Sequence, residues 1–345
     1  MAYDAGGFKS YIASNGCSAY FMNKQQKVLI KVFFITCALF ILSGVFAQTK
    51  FGALIAVGNT PNRHEYQVMV AKKLGIRILR FKYVLTNPTE KVFPADFDVF
   101  LNINYGKEQQ GKEKVPVPFP TDLENYQQLL TNAIKSFKGK MPVVVAIENE
   151  EDNFQYHSGS PQDYINELKT AIPIIHAAGM QICNAGLTAP GIAYLVYNNL
   201  RERGLQAEAE AYERSTQLQF DKPWIKRKGE FVRQTLEAYK TMDIDFVNFH
   251  WYGKSIDASA LKTTIEFLKQ ATNKPVITNE IGQYDNSPET IKAVLQVCRE
   301  ENLPYVIWNS GLNKGPGKSV SLQNPDGTLK PNGEAFREMI AGQQQ

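Results

Sequence analysis

The sequence predicts an α/β protein, a single (β/α)8 TIM barrel, and three observations carry that prediction. From Phe51 onward, short apolar runs alternate with stretches of helical periodicity, the mark of repeated βα units. Two of those runs share one form: Pro142–Asp152 (PVVVAIENEED) and Lys274–Asp285 (KPVITNEIGQYD) each place Asn-Glu at a strand end, as Asn149-Glu150 and Asn279-Glu280. The chain of 345 residues is long enough for one barrel of about 250 residues with a leader and insertions. Strand ends that deliver carboxylates suit this fold, because its functional loops all follow the C-terminal ends of strands.

The elements follow in order. Lys24, Lys27 and Lys31 precede an apolar run, Val32–Leu42, that continues to Phe46 and Ala47. A basic start, an apolar core and a small residue describe a secretory signal peptide. Residues 1–47 are therefore expected to be a leader cleaved after Ala47, with translation starting at Met1 or Met22. An uncleaved membrane anchor is the alternative, although the run is short for a span. Residues 48–345 are expected to form one exported domain. Its first strand is Phe51–Val57, followed by a helix over Arg63–Leu74 that Gly75 ends. The second strand, Ile76–Phe81, carries Arg80, and the third, Phe97–Ile103, leads to Asn104 and Tyr105. Asn87-Pro88 and Phe93-Pro94 interrupt the segment between them, so the second helix is short or missing.

Thr121 opens the next helix, with Tyr126, Leu130, Ala133, Ile134 and Phe137 on one face and Gly139 as its stop. The fourth strand ends on the IENEED run. Ser160-Pro161 starts a helix that Pro173 should kink. After a fifth strand, Met180–Leu187, a long crossover (Pro190–Thr241) reads as two or three helices broken near Phe220–Lys222 and Gly229. The sixth strand, Ile244–His250, runs into Trp251-Tyr252-Gly253, and a helix over Ala258–Ala271 precedes the short seventh strand, Val276–Thr278. Ser287 caps a helix, Tyr305–Trp308 is the eighth strand, and Asn332–Ile340 the last helix.

Hydrophobic content of 43 %, charged content of 21 % and a formal net charge of +4 are ordinary for a globular protein. The basic residues are scattered rather than striped, which argues against nucleic acid. Cys17 and Cys37 fall in the leader, and Cys183 and Cys298 lie on apolar faces, as buried small hydrophobes rather than a disulfide or metal set.

Two strand-end carboxylates are what glycoside hydrolysis needs, one as acid/base and one as nucleophile or second base. On Asn149-Glu150, Glu280, Arg80, His250, Tyr252 and Trp308, the chain resembles a retaining glycoside hydrolase of the large barrel clan that holds cellulase-like and xylosidase-like families. The resemblance runs from the first strand to the eighth. It implies Glu150 as acid/base, Glu280 as nucleophile, Asn149 as the residue that hydrogen-bonds the sugar 2-hydroxyl, and Arg80 beside the nucleophile. It also implies substrate binding by His250 and Tyr252 and a sugar stacked on Trp308. The implied partner is a carbohydrate, with no metal or cofactor and the chain acting as a monomer. Where the family pattern has Pro after the acid, this chain has Glu151. Glu148, with the strand parity of Glu150, Glu151 or Asp152 are alternative participants. His250 is also consistent with a structural histidine, Trp308 with core packing, and Arg80 with a strand bridge. An acid needs an apolar or negative setting and a nucleophile a positive one. The remaining functional classes are a transglycosylase and a glycan-binding barrel without turnover. The loops Asn104–Pro120 and Asn309–Lys330 are the candidates for setting specificity.

Overall fold

The computed structural model describes residues 48–57, 63–107, 109–110, 113–254, 258–311 and 321–341. The expected leader lies outside the described residues, as do parts of the two specificity loops. Eight parallel strands form the sheet: β1 (Lys50–Ile55), β2 (Ile78–Val84), β3 (Asp98–Asn104), β4 (Val144–Ile147), β5 (Gln181–Cys183), β6 (Val247–Gly253), β7 (Val276–Gln283) and β8 (Tyr305–Ser310). Their spatial order is β6-β7-β8-β1-β2-β3-β4-β5. Parallel bridges Cys183–Phe246 and Leu187–Phe249 join β5 to β6 and close the barrel.

Strand alternation sorts the side chains into two cores. Ile78, Phe100, Val144, Ala146, Cys183, Phe246, Ile277, Tyr305 and Ile307 fill the inside of the barrel. Their strand neighbours, such as Val99, Val145, Val306 and Trp308, pack outward in a second core that the helices cover. Both described cysteines are buried and free, as expected.

The helices are α1 (Arg63–Leu74), α2 (Leu123–Ser136), α3 (Pro161–Ala177), α4 (Ala189–Glu202), α5 (Gln206–Thr216), α6 (Pro223–Tyr239), α7 (Ala258–Thr272), α8 (Pro288–Glu300) and α9 (Pro331–Ala341). Between β2 and β3 the only regular element among the described residues is Val92–Phe93, which pairs with Lys138–Gly139, so of the two outcomes expected there, a short helix or a missing one, it is the second that holds. Several expectations shift in detail. Asp122, not Thr121, caps α2, accepting from Asn125 N at 3.0 Å. Ser160 and Asp163 form a reciprocal capping box on α3, which runs on through Pro173 to Ala177. The crossover is three helices, and Gly229 breaks none of them. It lies inside α6 because a Cβ there would sit 2.2 Å from the Tyr194 ring, so the glycine serves close helix packing. The seventh strand is longer than expected and carries Glu280 within it.

Candidate active site

The inward positions above the barrel plug are polar: Arg80 on β2, Asn102 and Asn104 on β3, Asn248, His250 and Tyr252 on β6. Period-two alternation on β7 would place Asn279 inward and Glu280 outward. A β-bulge prevents this. Ile277 pairs with Asn248 but Glu280 pairs with His250, so three β7 residues advance against two on β6, and β8 shows the same slip. The extra residue turns Glu280 into the cleft along with Asn279.

Glu280 is held on two sides. Arg80 Nη1 donates to Oε2, while Tyr252 Oη donates to Oε1 at 2.6 Å and Asn309 Nδ2 to Oε1 at 3.2 Å. Burial would raise this carboxyl. The Arg80 charge, then His250 and the Tyr252 hydrogen bond outweigh it and bring the group down to about 2. Arg80 is itself fixed by Asn102 Oδ1 (2.9 Å), the Asn279 carbonyl (3.0 Å) and Asn149 Oδ1 (2.8 Å).

Glu150 arrives differently. Glu148 and Glu150 both have left-handed backbones, with φ of 70° and 54°, a conformation that ends the strand and that side-chain-bearing residues rarely adopt. Alternation stops, and the carboxylates of the IENEED run fan out to separate partners. Glu148 is buried, accepting from Asn104 Nδ2 (2.9 Å) and the Tyr105 backbone N–H. Glu151 accepts from Asn184 Nδ2 (2.6 Å) and Tyr239 Oη (2.8 Å), and Asp152 from Thr188 with Lys228 close by. None of these three reaches Glu280, and Glu150 does. One oxygen each of Glu150 and Glu280 and a ring nitrogen of His250 all lie within 4.8 Å of one another.

The setting of Glu150 corrects an expectation. Burial and the charge of Glu280 raise its carboxyl, but the hydrogen bond and charge of His250 prevail and hold it below the usual value. His250 Nδ1 lies 3.1 Å from Glu150 Oε1 and its Nε2 2.8 Å from Asn279 Oδ1. The imidazole is raised: burial lowers it, and the two glutamates more than compensate. Gly186, at φ +116°, makes room for this ring, since a Cβ there would stand 2.3 Å from Nε2.

The hydrogen-bond pattern fixes the tautomer. Asn102 Oδ1 must accept from Arg80 Nε, because guanidinium only donates, and Asn102 Nδ2 donates to the Glu148 carbonyl at 3.0 Å. Asn279 therefore presents Nδ2 to Asn102 Oδ1 (3.0 Å) and Oδ1 to His250. Nε2 then carries a proton, and Nδ1 is the ring nitrogen that faces Glu150 Oε1.

Of the sequence-predicted residues, Glu150, Glu280, Asn149, Arg80, His250 and Tyr252 come together. Trp308 does not. It is 0 % exposed and packs edge-on to Phe336 of α9, 5.9 Å between centroids, on the outward face of β8. Tyr305 and Ile307 fill the inward face, so the next inward residue is Asn309, which sequence reading passed over. Counting alternate residues along β8 would have found it. His157 was missed too: its Nε2 donates to the Asn149 carbonyl at 2.9 Å and its ring stacks on Phe119 at 4.6 Å. No sequence signal marks it, since it lies seven residues past Glu150 in a loop.

Residues 206–309 match a family model described as glycosyl hydrolase catalytic core, a span that includes His250, Tyr252, Glu280 and Asn309. Solved structures share the fold at low identity. A GH128 (subgroup II) endo-β-1,3-glucanase from Sorangium cellulosum is 13 % identical, with 84 % of this chain and 97 % of that one covered and a TM-score of 0.54. A GH128 (subgroup I) endo-β-1,3-glucanase from Amycolatopsis mediterranei, in complex with laminaritriose, is 14 % identical, with 84 % and 99 % covered and a TM-score of 0.50. A family 39 glycoside hydrolase from Bacteroides cellulosilyticus is 15 % identical, with 85 % and 64 % covered and a TM-score of 0.54. No curated protein matches the chain. The chain thus resembles barrel glycoside hydrolases in fold, and in sequence over the second half of the barrel.

Proposed function

We propose that this protein is a glycoside hydrolase that cleaves β-glycosidic bonds with retention, and that β-1,3-glucan is the first substrate to test. The observation that carries the reading is the Glu150–Glu280 pair. One oxygen of each lies within 4.8 Å of the other, a proximity that favours the roughly 5–5.5 Å carboxyl spacing of retaining enzymes over the roughly 6.5–9.5 Å of inverting ones. The two environments are unlike, which is how one site runs acid and nucleophile chemistry together.

In this mechanism the ionised Glu280 attacks the anomeric carbon while the glycosidic C–O bond breaks. Glu150 gives a proton to the departing oxygen, leaving a glycosyl ester on Glu280. A water then loses a proton to Glu150 and attacks the same carbon, freeing the sugar and Glu280. Arg80 and Tyr252 hold the nucleophile in its attacking orientation. Since Arg80 occupies Asn149 Oδ1, only the amide NH2 of Asn149 remains to donate to a sugar 2-hydroxyl. The proton that Glu150 delivers is shared with His250, so the working acid is the pair. The β-1,3-glucan reading is supported by the two endo-β-1,3-glucanases with the same fold. The leader makes the enzyme an exported one, which N-terminal sequencing of secreted protein checks.

The test is hydrolysis of a panel of β-glucans, xylan and aryl β-glycosides, with the anomer of the first product followed by NMR. A β product from a β substrate is expected. An α product would replace retention by inversion, and no product from any substrate would end the reading.

A further inference from the structure

Tyr284 follows β7 in the same stretch as Glu280, and none of the roles above uses it. It is 60 % exposed, unusual for a large aromatic side chain, and its ring stacks on that of Tyr252 with centroids 5.8 Å apart and planes at 28°. Its backbone N–H donates to the Gly253 carbonyl at 3.2 Å, tying the loop to the end of β6. Tyr252 is the residue whose hydroxyl donates to Glu280, so the tyrosine pair runs outward from the nucleophile. Beside it opens a cavity of about 120 Å³, lined among others by Ala193, Gln217, Leu218, Trp251, Lys254 and Tyr284. Other exposed large apolar side chains, such as Val92 and Trp224, have no such link to the catalytic carboxylates.

We propose that Tyr284 and this cavity form a sugar-binding subsite next to the cleavage point, in which the C–H face of a pyranose ring of the same glycan lies on the outer face of the Tyr284 ring. The chemistry suits a sugar. An aromatic face takes the apolar face of a pyranose, and Lys254 and Gln217 offer polar groups to its hydroxyls. The cavity is too small for a folded partner. The occupant is the neighbouring unit of the glycan held by Glu150 and Glu280, so the proposal rests on the glycosidase reading.

The test compares the full chain with Tyr284→Ala and Tyr284→Trp in two assays. One is binding of laminarihexaose, cellohexaose and xylohexaose by calorimetry, each in a Glu280→Gln background. The other is turnover of β-glucosyl fluoride, which has one ring and no sugar for the subsite. Tyr284→Ala should weaken the best-bound hexaose about tenfold, the size of one aromatic contact, and Tyr284→Trp should restore it. Fluoride turnover should stay within about twofold. Unchanged hexaose binding overturns the subsite while leaving the glycosidase reading intact. An equal loss on the fluoride also overturns it, because Tyr284 then acts only by supporting Tyr252. Hexaose binding that depends on Tyr284 in a protein with no turnover upholds the subsite and removes the glycosidase reading. A chain that binds none of the three refutes the subsite.

Discussion

Near the end of β7 a one-residue bulge turns a carboxylate that is still inside the strand into the cleft, and Arg80, Tyr252 and Asn309 meet it at once. At the end of β4 the strand stops, two left-handed residues fan four acidic side chains apart, and the one entering the cleft meets a histidine. In sequence both ends read Asn-Glu. The difference lies in what each carboxyl can do with a proton. Glu280 is locked ionised by a group that never deprotonates, whereas Glu150 faces an imidazole, a group able to take up and give back a proton, whose hold on it the two glutamates strengthen. A nucleophile and an acid/base need that contrast.

The comparison breaks most decisively by removing each carboxylate. Glu280→Ala should lower turnover by about 10⁴-fold or more on every substrate, because no glycosyl ester can form. Glu150→Ala should chiefly harm substrates with poor leaving groups and let the glycosyl-enzyme accumulate on activated ones. Added azide should yield a β-glycosyl azide with Glu150→Ala and an α-azide with Glu280→Ala. Reversed products would exchange the roles, and full activity in both variants would sink the assignment.

Arg80 tests the β7 half. Arg80→Ala should cost about 10²-fold in kcat and shift the acidic limb of the kcat/KM–pH profile upward. The sign follows from the lowered carboxyl: Glu280 ionises near pH 2 with its cation beside it, so losing the cation raises the pH at which it ionises. An acidic limb that stays in place would show that Arg80 only bridges strands.

His250 tests the β4 half. Glu150 and Glu280 both raise its imidazole, so Glu150→Gln should lower the pH at which His250 titrates, read from its ring NMR signals. An unmoved titration would deny the shared proton.

Much of the barrel was legible because its signals are local: period-two runs, helical faces, Gly75 and Ser160-Pro161. The proposed catalytic pair was legible because two strand-end runs carry the same Asn-Glu form, at Asn149-Glu150 and Asn279-Glu280. Orientation was harder to read. Trp308 was placed in the cleft by its position at a strand end, and it faces the helices because Tyr305 and Ile307 set the parity. Glu280 escaped the opposite error only through a bulge that no residue announces. The asparagines 102, 248, 279 and 309 look like turn formers in sequence, and only the closed barrel joins the first three in a network that orients Arg80 and His250 and brings Asn309 to Tyr252 and Glu280. The choice among Glu148, Glu150 and Glu151 depended on left-handed φ values at non-glycine residues, which composition does not reveal.

Glu151, the residue standing where the family pattern has proline, gives the smallest effect and separates the β4 cluster from catalysis. It is fully buried, with Oε1 satisfied by Asn184 and Tyr239 and Oε2 without a partner among the described residues. Burial first, and the neighbouring Asp152 next, push its carboxyl up to about 7 from its ordinary 4.5. A carboxyl raised in the folded state binds its proton more tightly there. The stability it contributes is complete below the unfolded value and is lost as pH rises from 4.5 through about 7. At 1.36 kcal/mol per unit the loss is on the order of 3 kcal/mol. Glutamine keeps an acceptor for Asn184 and Tyr239 and never ionises. Glu151→Gln should therefore match the parent in urea unfolding at about pH 5 and exceed it by about 1–3 kcal/mol at about pH 9. Its turnover should stay within about twofold, because Glu151 does not reach the cleft. Parallel stability losses in both proteins would show that the buried carboxyl titrates normally, and a collapse of turnover alone would return Glu151 to the acid/base machinery.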